Sequence, residues 1–415
     1  MFVVEMDISW IQSPFLLHRR AIKSNKDINL LKQSGVKFLS IDLSKSKIPA
    51  EAKTSPAQQA EEPLPAQASD KPENDAADDE INEPTLTTPE LNPDNLDKPC
   101  ALLGEELNRA VVLKKQACES FFQINDRVKN NQAISVKAFE PIVQDTISSL
   151  LRNSQALLTL MHLKRYEEKL FSHSFSVMTL ALTLAIKEGV EKEDLKTLAM
   201  AALLHDIGWA QLPLNLFGKI KAYTANELKV VHQHQKIANI IVGKSSSISS
   251  AVKKVMMRHH ERLDGSGYPE GIKERQLDRL ERILILTDYY DETIHGLLDR
   301  PGLIPSEALR LLYKEATQNQ LDKSLVESLI KMLGIYPLTS AVQLTSGEKG
   351  IVVEVNREKP LVPVVKIMYS SDGNALADPQ ILNLETDKKE RQVKGIVDLV
   401  DEKSDPQGLL LIEEV

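Results

Sequence analysis

Hydrophobic residues along this chain change their spacing from segment to segment, and each change marks a different kind of structure. Near the N-terminus "FVVEM" is a short strand-like run, "KDINLLKQSG" has helical spacing closed by Gly35, and "VKFLSIDL" alternates like a strand. Residues 1–47 therefore read as a small α/β unit. Periodicity then stops. Residues 48–98 hold no aromatic side chain, seven prolines fall between 51 and 98, and Ala, Glu, Asp and Gln dominate. Such a stretch cannot bury enough apolar surface to offset its ordering entropy, so it reads as a disordered, acidic, Pro/Ala-rich linker. From about 99 to 335 the spacing is that of almost continuous helix, through "LGEELNRAVVLKKQACESFFQIND", "AFEPIVQDTISSLLRNSQALLTLMHL", "FSHSFSVMTLALTLAIKEG" and "KEDLKTLAMAALLHDIG". Further helices are predicted around 224–242, 248–261, 276–294, 305–318 and 322–334. Residues 336–415 change character again, to short β-branched runs such as "GIVVEVN", "LVPVVKIMY" and "VKGIVDLV" between turn residues, a small β module. The fold class is mainly α, with a small unit at each end.

Composition narrows the picture. The 415 residues are 42% hydrophobic and 27% charged, ordinary values for a globular protein. No 18-residue stretch is uninterruptedly apolar, so no membrane span is expected. Glu5 and Asp7 stand where a signal peptide needs a basic lead and an apolar run. Cys100 and Cys118 are the two cysteines, which argues against a disulfide framework or a Cys-based zinc site. A cytoplasmic protein is the expectation. The net charge of −8 is local: residues 51–98 carry 13 Asp and Glu against 3 Lys, so the rest of the chain is slightly positive. No basic stripe with interleaved aromatics is present, which speaks against nucleic-acid binding.

Candidate chemistry lies in the helical part. His205 and Asp206, in "LLHDIG", end an apolar helix that Gly208 terminates. Imidazole binds one ion, whereas a carboxylate has two oxygens and can bridge to a second. His173 lies 32 residues earlier, His234 lies 28 after Asp206, His259 and His260 follow, and Asp288 lies 28 beyond His260. Each sits on an otherwise apolar helix. For any one of them a hydrogen-bonded core residue is the ordinary explanation; seven buried together would be costly unless coordinated.

The order His…His-Asp…His…His-His…Asp, with the complete string "HHERLDGSGYP" at 259–269, resembles the HD-GYP family of metal-dependent phosphohydrolases. The resemblance covers about residues 140–335, leaving 99–139 as a helical connector. The first 47 residues and "YPLTSAVQLTSGEKGIVVEVN" also resemble domains fused to such proteins. It implies an HD-type helical bundle that hydrolyses cyclic di-GMP to linear pGpG, with GMP as a further product, by in-line attack of a hydroxide bridging two divalent ions, iron or manganese. One ion would be held by His173, His205, Asp206 and Asp288; Asp206 would bridge to a second, held by His234, His259 and His260. Asp206 and His205 would be the catalytic pair, Glu261 would orient an imidazole, and Tyr268 and Arg300 would meet substrate. The resemblance also allows a homodimer and contact with diguanylate cyclase domains through the GYP loop.

The chain departs from the pattern at three places. Trp209 replaces a lysine that contacts phosphate in many members; it would either stack on a guanine or simply pack, with Lys219 or Arg300 supplying the missing charge. Lys169 stands where three-metal members carry glutamate, with Glu168 one residue further back, so two ions are expected. Arg300 follows Asp288 by 12 residues, a longer spacing than the family's. A low-activity sensor on the same fold, or a phosphohydrolase of another nucleotide, are the competing readings. His18, His162, His232 and His295 fall outside the pattern and read as surface or packing residues.

Overall fold

The computed structural model describes residues 91–96, 99–162, 169–297 and 301–397, except 97–98 and positions 214, 218, 220, 339, 357 and 388, together with residues 2–6, 20, 21, 28, 32 and 39–41. The chain divides into two compact units, Met1–Thr85 and Leu86–Val415. In the first, β1 (Phe2–Met6) lies between β2 (Arg20–Ala21) and β3 (Leu39–Ile41), antiparallel to both. Of the helix expected at "KDINLLKQSG" only Ile28 and Lys32, both helical, are described. Most of the expected linker lies outside the described residues, but its end does not: Pro93–Leu96 form a 3-10 turn whose Leu96 is buried.

The helical part of the second unit runs α1 (Leu103–Lys129), α2 (Phe139–His162), α3 (Lys169–Lys187), α4 (Lys192–Leu204), α5 (Ala225–Val231), α6 (Gln233–Gly243), α7 (Ser250–Met257), α8 (Arg279–His295), α9 (Pro305–Thr317) and α10 (Lys323–Leu333). The segment expected to be a connector is part of the bundle: α1 packs along α2, and Arg152 of α2 grips the buried Glu106 of α1 through two 2.8 Å hydrogen bonds. Helix α2 breaks at Asn153 (φ −160°, ψ 96°), whose side chain bridges to the Ala101 carbonyl and the Gln155 N–H.

Helix α3 is the central element, packed against α1, α2, α4, α8 and α10. Its Val177, Met178, Leu180, Leu182 and Leu184 are fully buried, and Thr179 and Thr183 satisfy their hydroxyls on carbonyls one turn back. It is long and apolar enough to cross a membrane, but 89% of that stretch is buried inside the bundle, as in a core helix. Helix α8 is defined sharply at both ends. Asp278 and Glu281 form a capping box, and Gly296 ends the helix in the left-handed region at φ 65°. That fixes which side chains of α8 face α3.

The β module is one antiparallel sheet in the order β7-β6-β5-β4-β8, built from β4 (Ala341–Leu344), β5 (Lys349–Glu354), β6 (Val364–Tyr369), β7 (Ala375–Asn383) and β8 (Val393–Ile396). Val342, Leu344, Val352, Val365, Ile367 and Leu384 form its core. Pro379 sits in β7, an edge strand, where a missing N–H costs no ladder bond.

Candidate metal centre

Five helices deliver the seven expected side chains to one place. α3 carries His173, the end of α4 carries His205 and Asp206, the start of α6 carries His234, the residues just past α7 are His259 and His260, and α8 carries Asp288. None is more than 6% exposed. The 3-10 turn after α4 (Ile207–Gln211) can lie this close to α6 because residue 208 is glycine: a Cβ there would run into the His234 carbonyl.

The two oxygens of Asp206 face different partners. Oδ2 lies 3.6 Å from Nε2 of both His173 and His205. Oδ1 lies 3.5 Å from His234 Nε2 and 3.7 Å from His259 Nε2. Asp288 joins the first set, with Oδ1 at 3.0 Å from His173 Nε2 and 3.3 Å from His205 Nε2, while its Oδ2 is 3.7 Å from His260 Nδ1. One ligand atom from each of Asp206, His234, His259 and His260 lies within 4.8 Å of the others, and the same holds for His173, His205 and Asp206.

The far sides of the rings set which nitrogen carries the lone pair. Nδ1 of His205, His234 and His259 each points at the carbonyl three residues back, at 2.7, 2.7 and 2.5 Å. A carbonyl only accepts, so each Nδ1 carries the hydrogen and each Nε2 presents its lone pair inward. His173 does the same against a side chain, Nδ1 donating to Asp291 Oδ2 at 2.7 Å. The Nε2 atoms then stand 3.2 Å apart in His173 and His205 and 3.4 Å apart in His234 and His259. Lone pairs that close repel unless a cation or proton lies between them. Asp206 Oδ1 and His260 Nε2 are buried without a hydrogen-bond partner. Hard oxygen and borderline nitrogen donors, buried, convergent and unsatisfied, fit divalent cations.

Electrostatics divide the cluster. Burial opposes charge on His173 and His205, yet Asp288 with Asp291 holds the first well above the usual imidazole range, and Asp206 with Asp288 raises the second. Burial lowers His234, pushes His260 well below that range and brings His259 to about 3. Asp288 is buried too, but the imidazoles of His173 and His205 hold its carboxyl well below the normal range.

The remaining expected residues fare differently. Glu261 is fully buried, but its carboxylate turns away from the imidazoles: it accepts from the N–H groups of Glu270, Gly271 and Ile272 at 2.7, 3.2 and 3.1 Å. It anchors the loop after Tyr268 rather than orienting a ring. Glu261→Gln is expected to lower the urea unfolding midpoint by the equivalent of about 2–4 kcal/mol, because its NH2 group would face a backbone donor; an unchanged midpoint would remove that role. Trp209 is 0% exposed, stacked on His234 (5.5 Å, 14°) and edge-on to Phe217, so its ring face is taken and burial supports packing over base stacking. Lys219 pairs with Glu227 at 2.7 Å, within the α5 capping box, and its charge is already matched. Tyr268 is half-buried between the rings of His260 (4.8 Å) and His232 (4.1 Å), each at 28°. Burial, and then Glu292, push its phenol well up. Arg300 and Glu168 lie outside the described residues, as does the side chain of Lys169.

Asp291, Glu292 and His295 were not expected here. They stand on α8 three, four and seven residues after Asp288, the spacing that puts them on the same helix face. One ligand atom each from His260, Asp288 and Glu292 also lies within 4.8 Å of the others. His232, expected to be a surface or packing residue, is the outer ring of the Tyr268 stack.

Comparison with known proteins matches three stretches of the chain. Residues 137–325 match the HD domain family, residues 1–139 a domain of unknown function (DUF3391), and residues 341–404 a KOW domain associated with HD domain. The second match joins the N-terminal unit, the linker and α1 in one family. The chain is 29% identical over 386 residues, 92% of its length and 86% of the relative's, to the cyclic di-GMP phosphodiesterase PA4108 of Pseudomonas aeruginosa. It is 24% identical to the cyclic di-GMP phosphodiesterase PdeB of Borreliella burgdorferi, over 47% of this chain and 52% of that one. It is also similar to 3'3'-cGAMP-specific phosphodiesterase 1 of Vibrio cholerae, 27% identical over 39% of this chain and 37% of the relative. The HD domain match at 137–325 contains an unbroken "HHERLDGSGYP", the string in which the chain resembles the HD-GYP family.

Proposed function

We propose that the chain is a metal-dependent phosphodiesterase that hydrolyses cyclic di-GMP to linear pGpG and onward to GMP. The observation that carries this reading is Asp206, whose two oxygens face two separate imidazole sets 3.5–3.7 Å away, the arrangement needed to share one carboxylate between two ions. His173, His205 and Asp288 would complete one ligand set, and His234, His259 and His260 the other. Bound there, divalent iron or manganese supplies Lewis acidity that lowers the pKa of water and draws charge from a phosphodiester. The protein's own part is to hold His173, His205, His234 and His259 with Nε2 inward, beside His260, and to keep the site dry. Glu261 fixes the GYP loop, which sets Tyr268 against His260 at the mouth of the site. The named activities of the relatives support a cyclic dinucleotide as substrate.

A 3'3'-cGAMP substrate is the second reading, favoured by the similarity to the Vibrio cholerae enzyme. Purified full-length chain, loaded anaerobically, should carry about two ions in its Asp206-centred sites and convert cyclic di-GMP to a linear product separable by chromatography. Ion-loaded protein that cleaves 3'3'-cGAMP and leaves cyclic di-GMP intact would move the assignment to the second reading; loaded protein that binds cyclic di-GMP without cleaving either would make it a sensor.

A further inference from the structure

His173 differs from the other inward-facing imidazoles in what holds it. His205, His234 and His259 hang their Nδ1–H on carbonyls of their own turns, which the backbone fixes. His173 hangs its Nδ1–H on the Asp291 side chain, across from α3 to α8. A side chain with rotatable bonds is a poorer reference point than a backbone carbonyl unless something holds it in turn.

Asp291 is fully buried. The Oδ2 that accepts from His173 also lies 3.2 Å from Nδ1 of His295, one turn along α8. His295 Nδ1 is 3.1 Å from the Asp291 carbonyl as well. Facing two oxygens, that nitrogen must carry a hydrogen, so His295 is the donor. Burial pushes the Asp291 carboxyl up, and His295 and His173 together overcome it and hold it at about 2. The backbone that bears His295 is pinned too: Leu303 N–H donates to the Thr293 carbonyl, and Gly302 lies so close that a Cβ there would meet the Ile294 carbonyl and, at 3.1 Å, the Gly296 nitrogen. The His295 side chain is 32% exposed, so three residues lead from the centre to the surface.

We infer that His295 is a positioning residue for the metal centre: its Nδ1–H fixes the Asp291 carboxylate, which fixes the His173 ring, so a half-exposed side chain outside the ligand set determines how firmly the first ion is held. The inference rests on the metal reading of the cluster and adds to it a residue that the ligand pattern does not contain.

Three substitutions in the full-length chain test it. Asparagine places an N–H where Nδ1 stands, glutamine places it about one bond further out, and leucine supplies none. Proteins loaded with Mn2+ are mixed with EDTA, and the rate of metal loss is followed beside kcat and KM for cyclic di-GMP. His295→Leu and His295→Gln should release Mn2+ about tenfold faster than the unsubstituted chain, the lower end of the usual effect of losing an outer partner. His295→Asn should recover most of that difference, and the loss of turnover should appear in kcat rather than KM. Release from His295→Leu at the unsubstituted rate, or from His295→Asn as fast as from His295→Leu, overturns the brace while leaving the metal centre in place. Should His295→Leu fail to fold, the Asn and Gln pair decides on the same criterion. An unsubstituted chain that takes up no Mn2+ overturns both the metal reading and the brace, a result distinguishable from either of the others.

Discussion

Asp206→Ala protein is expected to retain neither ion and to lose cyclic di-GMP turnover by at least about 10³-fold, the equivalent of roughly 4 kcal/mol of transition-state stabilisation. The size follows from geometry. The one carboxylate within 3.7 Å of four imidazole nitrogens disappears, and its removal takes a ligand from both sets at once. What remains is five buried rings with Asp288 as the carboxylate facing their inward nitrogens, and pairs of Nε2 atoms 3.2 and 3.4 Å apart with less charge to hold a cation between them. Asp206→Asn makes a finer measurement. It keeps one oxygen in place, so it should bind about one ion per chain and still fail to turn over. Metal analysis and product chromatography on the same samples check both variants. An alanine variant that keeps two ions, or turnover within about tenfold of the parent, would mean that Asp206 is not shared, and the phosphodiesterase mechanism would lose its foundation.

The convergence of the seven residues was legible in the sequence through their type and order, His…His-Asp…His…His-His…Asp, set among apolar helices. What the sequence did not carry is direction. Glu261 follows His260 immediately, yet the chain turns there, and three backbone N–H groups of residues 270–272 capture its carboxylate before any imidazole can. For Trp209 the sequence left base stacking and packing open, and burial against His234 favours packing; Lys219, offered as one source of the missing charge, is taken by Glu227 of the Thr224–Glu227 capping box. His295 carries no such signal in the sequence. Its importance depends on Asp291 one turn away and on His173, 118 positions before Asp291, and only packing of α3 on α8 brings the three into line. Residues 99–139 read as a helical connector because periodicity reports helix without reporting what it covers; within it α1 buries Leu107, Leu113, Phe121 and Ile124, and Glu106 pairs with Arg152 of α2.

Stability and metal affinity should depend on pH in opposite senses above about pH 6.5, the usual imidazole value in an unfolded chain. In the ion-free protein His259 titrates at about 3, and His234 and His260 are also lowered. Between about 6.5 and those values the unfolded chain takes up protons that the fold refuses, so stability falls as pH drops through this window, by up to about 1.4 kcal/mol per pH unit for each group. His173 and His205 are raised, so the stability they contribute is present below about 6.5 and is lost as pH rises through their folded values. Asp288 and Asp291 are lowered, and their contribution is lost only in stronger acid, as pH falls below about 4. The ion-free chain is therefore expected to be most stable near pH 6.5. Ion binding needs all five rings neutral, so the protons held by His173 and His205 must leave, and affinity rises over the same interval in which ion-free stability declines. Urea midpoints measured with EDTA and with fixed Mn2+ should separate progressively between about pH 6.5 and 8.5, since a ligand that binds only the folded state stabilises it in proportion to the logarithm of its affinity. A separation that stays constant or narrows across that range would mean that His173 and His205 carry no extra proton in the ion-free state, and that Asp288 and Asp291 do not act on them as their 2.7–3.3 Å approaches imply.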